Sequence, residues 1–241
     1  MRAVLFHELG GYFRTAAGYI FLAMYTLLAG VVFVFINIGQ EMSASANLTL
    51  SAMQLPFLLI APLLTMRLFA EERRMKTDQL LFTAPVRLLS VVLGKFFSAC
   101  FMLAAAMGLT GGMFVFISRY AEVSFTETLC VFLGYFLSGC CMLSAGMLIS
   151  ALCRVPLTAG LITLCVNVLF YLAEQYLPKV PSLAFAETVL RFLPGTNRLG
   201  DLANGLIGLS DMVVFLAFIA LFVFLTVLTL EGKRVSGRKN A

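Results

Sequence analysis

Residues 69–96, FAEERRMKTDQLLFTAPVRLLSVVLGKF, combine charged and apolar side chains more closely than any other stretch of the chain. Four consecutive charged residues are followed by three consecutive apolar ones. They are Glu71, Glu72, Arg73 and Arg74, and then Leu80, Leu81 and Phe82. An apolar cluster beside charges of both signs is typical of a surface that docks another protein. The alternative is a loop whose charges only orient neighbouring membrane helices.

Other chemistry has little support in the sequence. His7 is the only histidine, and the six cysteines are scattered without a CxxC pair, so no metal site is predicted. A phosphate-binding loop would need a glycine where Leu89 stands and a hydroxyl where Phe96 stands. We therefore predict no catalytic site and no cofactor in this chain.

Composition places the chain in a membrane. Of its 241 residues, 61% are hydrophobic and 12% are charged, and the mean hydropathy is +0.99. Soluble domains have about 45–50% apolar and about 25% charged residues. The net charge of +5 does not indicate nucleic-acid binding, because the basic residues do not form one face interleaved with aromatic residues.

Six apolar runs are long enough to cross a bilayer, which takes about 17–25 residues. They are residues 18–39, 49–69, 89–117, 126–152, 156–173 and 211–230. We therefore predict an all-α membrane protein with one transmembrane domain over residues 1–241. Ahead of the first run, residues 2–15 are predicted to form an interfacial helix, which the Gly10-Gly11 pair would weaken.

The basic residues orient the six spans. With the N-terminus inside, all but four of the 17 lysines and arginines fall in the inner segments. Those four are Arg119, Lys179, Arg191 and Arg198. The positive-inside bias predicts that both termini are cytoplasmic.

Two connecting segments carry structure of their own in this topology. Residues 70–87 form a cytoplasmic segment, in which Thr77 can cap a short helix that ends before Pro85. Residues 174–210 form an outer segment too rich in proline to span, with short helices predicted over 183–192 and 197–207.

Small residues recur inside the predicted spans. Gly108 and Gly112 have GxxxG spacing, and Gly134 and Ser138 repeat the pattern. Such positions let helices approach closely in lipid. They could pack this subunit's own helices, or form a subunit interface or the lining of a pathway.

The motif in residues 71–96 resembles that of type-2 ABC exporter permeases, and more narrowly of their gliding-motility-associated branch. The matching residues are Glu71, Glu72, Arg73, Arg74, Thr77, Leu80, Leu81, Thr83, Pro85, Val86, Leu93, Gly94, Lys95 and Phe96. The chain departs from the family's run at Lys76, where glycine is common, and at Gln79, where an acidic residue is common. The opening HELGGYFRTAAGYIF and the closing stretch are similar too, although Gly208 stands where the family often has aspartate.

The resemblance implies a permease subunit in the bacterial inner (cytoplasmic) membrane. Residues 77–84 would be the coupling helix, seated in a groove of a separate ATPase subunit that binds ATP and Mg. The residues implied in this contact are Glu71, Glu72, Arg73, Arg74, Thr77, Leu80, Leu81 and Phe82. Lys95 would extend to the inner membrane surface. A second permease subunit, identical or different, would complete a pathway for export.

Three other functions stay open at this stage. A secondary transporter or channel would work without an ATPase partner and would usually carry charges within its spans. Arg67, Lys95 and Asp211 lie instead near predicted span ends. A membrane-embedded enzyme lacks acid–base candidates, and a scaffold subunit has no positive signature. A mostly apolar interior favours an amphipathic or lipid-like cargo.

Overall fold

The computed structural model describes residues 2–38, 46–75, 88–118, 125–176 and 209–239, and every regular element in these ranges is helical. The eight α-helices are α1 (Arg2–Arg14), α2 (Ala16–Phe33), α3 (Ala46–Thr65), α4 (Ala70–Arg74), α5 (Leu88–Ile117), α6 (Phe125–Leu152), α7 (Pro156–Tyr176) and α8 (Leu209–Lys239). A short π-helical stretch, Val34–Ile38, continues α2. All-α architecture is therefore confirmed within the described residues.

Six of these helical segments are long and apolar enough to cross a membrane, as the sequence predicts. Spans one to six are Ala16–Asn37, Leu48–Arg74, Leu88–Phe116, Thr128–Leu152, Pro156–Ala173 and Met212–Arg234. The protein is a multi-pass membrane protein. The helix α1 is continuous through Gly10 and Gly11, and a methyl group on either glycine would meet open space.

Span four is the centre of the helix packing. It contacts spans two, three, five and six, while span one packs on spans two and three. Tyr25, Phe57 and Tyr135, from spans one, two and four, form a chain of ring contacts with centroids 6.3 and 5.9 Å apart. Spans two, three and four are therefore the inner layer, and spans one, five and six lie around them.

Span two is broken near its end, where the sequence predicts an apolar run to residue 69. Pro56 and Pro62 lie inside α3, but the helix ends only at Thr65, and residues 66–69 form a turn before α4. The backbone N–H groups of Phe69 and Ala70 both donate to the Ser150 hydroxyl, at 3.2 Å each. Span four thus supplies the acceptor that the broken helix requires in an apolar surrounding.

The small residues divide into two groups. A methyl group on Gly146 would come within 2.8 Å of both Thr65 and Thr163, so this glycine permits close contact of spans two, four and five. Gly108 and Gly112 are exposed instead, and a methyl group on either would come within 4 Å of no atom of another described helix. The GxxxG pair therefore does not pack against the other described helices of this subunit.

Candidate functional site

The helix α1 packs against the beginning of span three. A methyl group on Gly94 would lie 2.9 Å from Cγ1 of Val4, so the absence of a side chain lets the two helices approach closely. The helix also packs on span one, which follows it. This contact brings the polar face of α1 to the ends of spans two and three.

A buried ammonium group joins the three elements. Lys95 Nζ lies 2.9 Å from Oε1 of Glu8 on α1 and 2.7 Å from Oε1 of Glu72 on α4. It also lies 5.3 Å from the ring centroid of Phe69, within the range of a cation–π interaction. The Lys95 side chain is only 2% exposed. We call these four residues, Glu8, Phe69, Glu72 and Lys95, the junction.

The position of Lys95 corrects the prediction that it extends to the membrane surface. Its ammonium is held inside the protein because two carboxylates converge on it from helices that are distant in sequence. An unpaired buried charge would be unfavourable by several kcal/mol, whereas a paired and hydrogen-bonded one is tolerated. The junction therefore fixes α1 and α4 to the start of span three.

Further polar groups surround the junction. Arg67 Nε lies 3.5 Å from Oε2 of Glu71, one helical turn further along the chain. The Tyr12 phenol, which is buried, donates to the carbonyl of Leu64 at 3.4 Å. Burial raises the pKa of Tyr12 above its ordinary value, and the Glu8 carboxylate acts in the same direction. This hydroxyl therefore stays protonated and remains a donor.

Two cations cap the end of span four nearby. Arg73 Nη1 donates to the carbonyls of Leu152 and Cys153, at 3.3 Å each. Lys233, near the end of span six, donates from Nζ to the carbonyl of Ala151 at 2.7 Å. The last carbonyls of a helix have no partners within it and carry partial negative charge, so both contacts are favourable. The last residues of spans two and six are thereby attached to span four.

The structure places half of the predicted partner-binding residues. Glu72 belongs to the junction, Glu71 lies beside it, Arg73 caps span four, and Arg74 is exposed. The other four, Thr77, Leu80, Leu81 and Phe82, lie outside the described residues, as does the predicted coupling helix over residues 77–84. The short helix that the structure does describe in this region is α4. The predicted outer helices over 183–192 and 197–207 also lie outside.

Three residues of this region are not predicted from the sequence. The sequence patterns assign Glu8 no role of its own, although a carboxylate in an otherwise apolar segment is a signal for a buried partner. Ser150 and Lys233 carry no such signal, since each acts on backbone groups about 80 residues away. Only tertiary packing brings them together.

A cavity of about 330 Å³ lies beside the junction, between α1, the end of span two and the start of span three. No group of histidine, cysteine and acidic residues suited to a metal ion occurs in the described ranges. A scan against models of protein families finds no match, and a search of curated proteins finds none either.

Proposed function

We propose that this protein is the permease subunit of an ATP-driven exporter and that its described polar end faces a separate ATPase subunit. The observation that carries the proposal is the junction. Through the ammonium group of Lys95, the junction attaches the residues directly before segment 76–87 both to span three and to α1. A force applied to that segment would therefore reach several helices at once.

The contacts of span four support the same function. Arg73 and Lys233 attach its end to α4, the last part of span two, and to span six. Spans two, four and six therefore share one set of polar bonds at one end of the bundle. Rigid connections of this kind suit a protein in which a partner's movement is passed to membrane helices.

The exposed face of span three supports a second permease subunit. Ala104, Gly108 and Gly112 are spaced four residues apart and all three are exposed. Faces of small residues permit close helix pairing in lipid, where hydrophobicity alone does not drive association. The proposal places the export pathway between two such subunits, in the cytoplasmic membrane, with both termini cytoplasmic.

The experiment is co-purification with candidate ATP-binding-cassette subunits, sought first among the neighbouring reading frames, followed by measurement of the ATPase rate. The test variant is Leu80→Asp/Leu81→Asp, in the predicted coupling helix. The matched control is Val115→Asp/Phe116→Asp, an adjacent apolar pair, 69% and 68% exposed, at the opposite end of span three. We expect the first variant to lose the ATPase subunit and the control to retain it.

Both variants are first checked for an unchanged elution volume and unfolding temperature. If the Leu80/Leu81 variant is folded and still binds the ATPase subunit with an unchanged rate, the docking assignment of residues 77–84 is wrong. If the wild type itself does not bind any ATPase subunit, the exporter proposal fails, and a transporter or channel without an ATPase partner becomes the better assignment.

A further inference from the structure

The cavity beside the junction has charged walls that reach the surface. Its lining includes Glu8, Arg67, Glu71, Glu72, Met75 and Lys95. The side chains of Arg67, Glu71 and Glu72 are 33%, 30% and 30% exposed, whereas that of Lys95 is 2% exposed. Lys95 therefore holds the floor of the cavity in place, and the other three can meet a ligand that enters from outside.

The open wall offers groups of both signs. The Arg67 guanidinium uses Nε in its 3.5 Å contact with Glu71, and its terminal nitrogens carry four further N–H donors. An (i, i+4) pair of this length and exposure contributes little on its own, so either partner can turn to a ligand at small cost. A molecule with one cationic and one anionic group matches this wall.

Apolar side chains adjoin the polar cavity. Met75 lies in its wall and is 62% exposed. The helix α1 lines the cavity with His7, Glu8 and Tyr12. On the same helix, Phe6 and Phe13 are 70% and 42% exposed. The cavity lies where span two ends and span three begins, which is the depth of phospholipid headgroups. A ligand there can place a polar head in the cavity and apolar chains along α1.

We propose that the cavity binds the headgroup of a zwitterionic aminophospholipid. Its primary ammonium donates to Glu71 and Glu72, and its phosphate accepts from Arg67. A choline headgroup has no N–H group that could donate to the carboxylates. An anionic headgroup without an amine would be repelled by the three carboxylates of the lining. The volume of about 330 Å³ lies at the lower end of the range for small-molecule sites, which suits a headgroup.

The chain contains no tryptophan, so the fluorescence of a single introduced tryptophan reports only on the surroundings of that one residue. Met75→Trp is reconstituted in phosphatidylcholine nanodiscs that contain increasing fractions of phosphatidylethanolamine with brominated acyl chains, which quench tryptophan on contact. Brominated phosphatidylcholine and phosphatidylglycerol are the reference lipids. We expect half-maximal quenching by phosphatidylethanolamine at a roughly fivefold lower fraction than by either reference, because charge-assisted hydrogen bonds favour it.

Further substitutions in the Met75→Trp protein identify which side chains of the cavity select the headgroup. Glu71→Gln and Arg67→Gln are each expected to reduce the preference for phosphatidylethanolamine over the reference lipids to less than about twofold, since each removes one charge-assisted contact. The matched control is Glu231→Gln, an exposed carboxylate of span six outside the cavity, which should keep the full preference. Phe6→Trp, on the exposed side of α1, is a second reporter if Met75→Trp does not purify as a folded protein.

Three results would overturn the proposal. Equal quenching by all three lipids would mean that the cavity selects no headgroup, and stronger quenching by phosphatidylglycerol would mean that it selects an anion. Loss of the preference when soluble phosphoethanolamine is added at equal headgroup concentration would make the ligand a free metabolite rather than a lipid. None of these readings requires the ATPase subunit, so the lipid site and the exporter function are tested separately.

Discussion

The inner and outer spans differ in burial although both are apolar enough to cross a membrane. In spans two, three and four, 61%, 61% and 67% of the most apolar window is buried, against 22%, 22% and 28% in spans one, five and six. The two most hydrophobic spans, one and six, are in the outer group. Hydrophobicity therefore does not indicate which helices form the core of this protein.

Polar and small residues mark the core instead. Most of the buried polar or charged side chains belong to the inner spans, namely Thr49, Gln54, Thr65, Lys95, Ser98, Thr110, Ser138, Ser144 and Ser150. Lipid is as apolar as leucine, so helices associate through close packing and polar contacts rather than through hydrophobicity. The inner spans are the ones that carry these contacts.

The largest effect should come from the one charged side chain among the described buried residues. Lys95→Met leaves Glu8 and Glu72 without their common partner, and we expect the free energy of unfolding to fall by about 4–5 kcal/mol. The measurement is unfolding in mixed detergent. Adding Glu8→Gln and Glu72→Gln should restore more than half of the loss. If Lys95→Met alone is as stable as the wild type, the junction does not stabilise the inner layer.

Removal of packing volume comes next and tests the two layers directly. Leu143→Ala, in the core at 0% exposure, should lower the free energy of unfolding by about 3 kcal/mol. Leu161→Ala, on span five at 57% exposure, should change it by less than about 0.5 kcal/mol. Equal losses at the two positions would contradict the division into inner and outer spans.

Added volume should change the free energy of unfolding less than removed volume does, and it should again distinguish a buried position from an exposed one. Gly146→Ala forces a methyl group against Thr65 and Thr163, and we expect a loss of about 2 kcal/mol from overpacking. The methyl group of Gly112→Ala meets open space, so the free energy of unfolding of this variant should lie within about 0.5 kcal/mol of the wild-type value. Thermal unfolding in detergent measures both. A large loss at Gly112 in a monomeric preparation would show that its face is covered within the subunit.

The smallest effect is expected at the break in span two. Ser150→Ala removes the acceptor of the Phe69 and Ala70 amides, which should lower the free energy of unfolding by about 1–2 kcal/mol. Hydrogen–deuterium exchange of these two amides should become at least about tenfold faster. The control is Thr158→Ala, whose exposed hydroxyl donates only to a nearby backbone carbonyl. Unchanged exchange in Ser150→Ala would mean that water replaces the hydroxyl.

The sequence predicts the spans well because a bilayer sets a length and an apolar composition that can be counted. It does not predict the end of α3 at Thr65, since the break depends on a hydroxyl of span four. It also misplaces Lys95, because a lysine at a span end extends to water in the absence of partners. Glu8 becomes one of those partners only after α1 has packed at Gly94, and the other, Glu72, lies on α4.

The capping of span four has a consequence for the order in which the chain assembles during synthesis. Ala151 accepts its bond from Lys233, which the ribosome adds 82 residues later. At about 5–20 residues per second, the carbonyl at the end of span four waits roughly 4–16 s for its partner. Arg73, made before span four, is already available to Leu152 and Cys153 in that interval. The earlier cation can hold this helix end in place until the last helix of the nascent chain arrives.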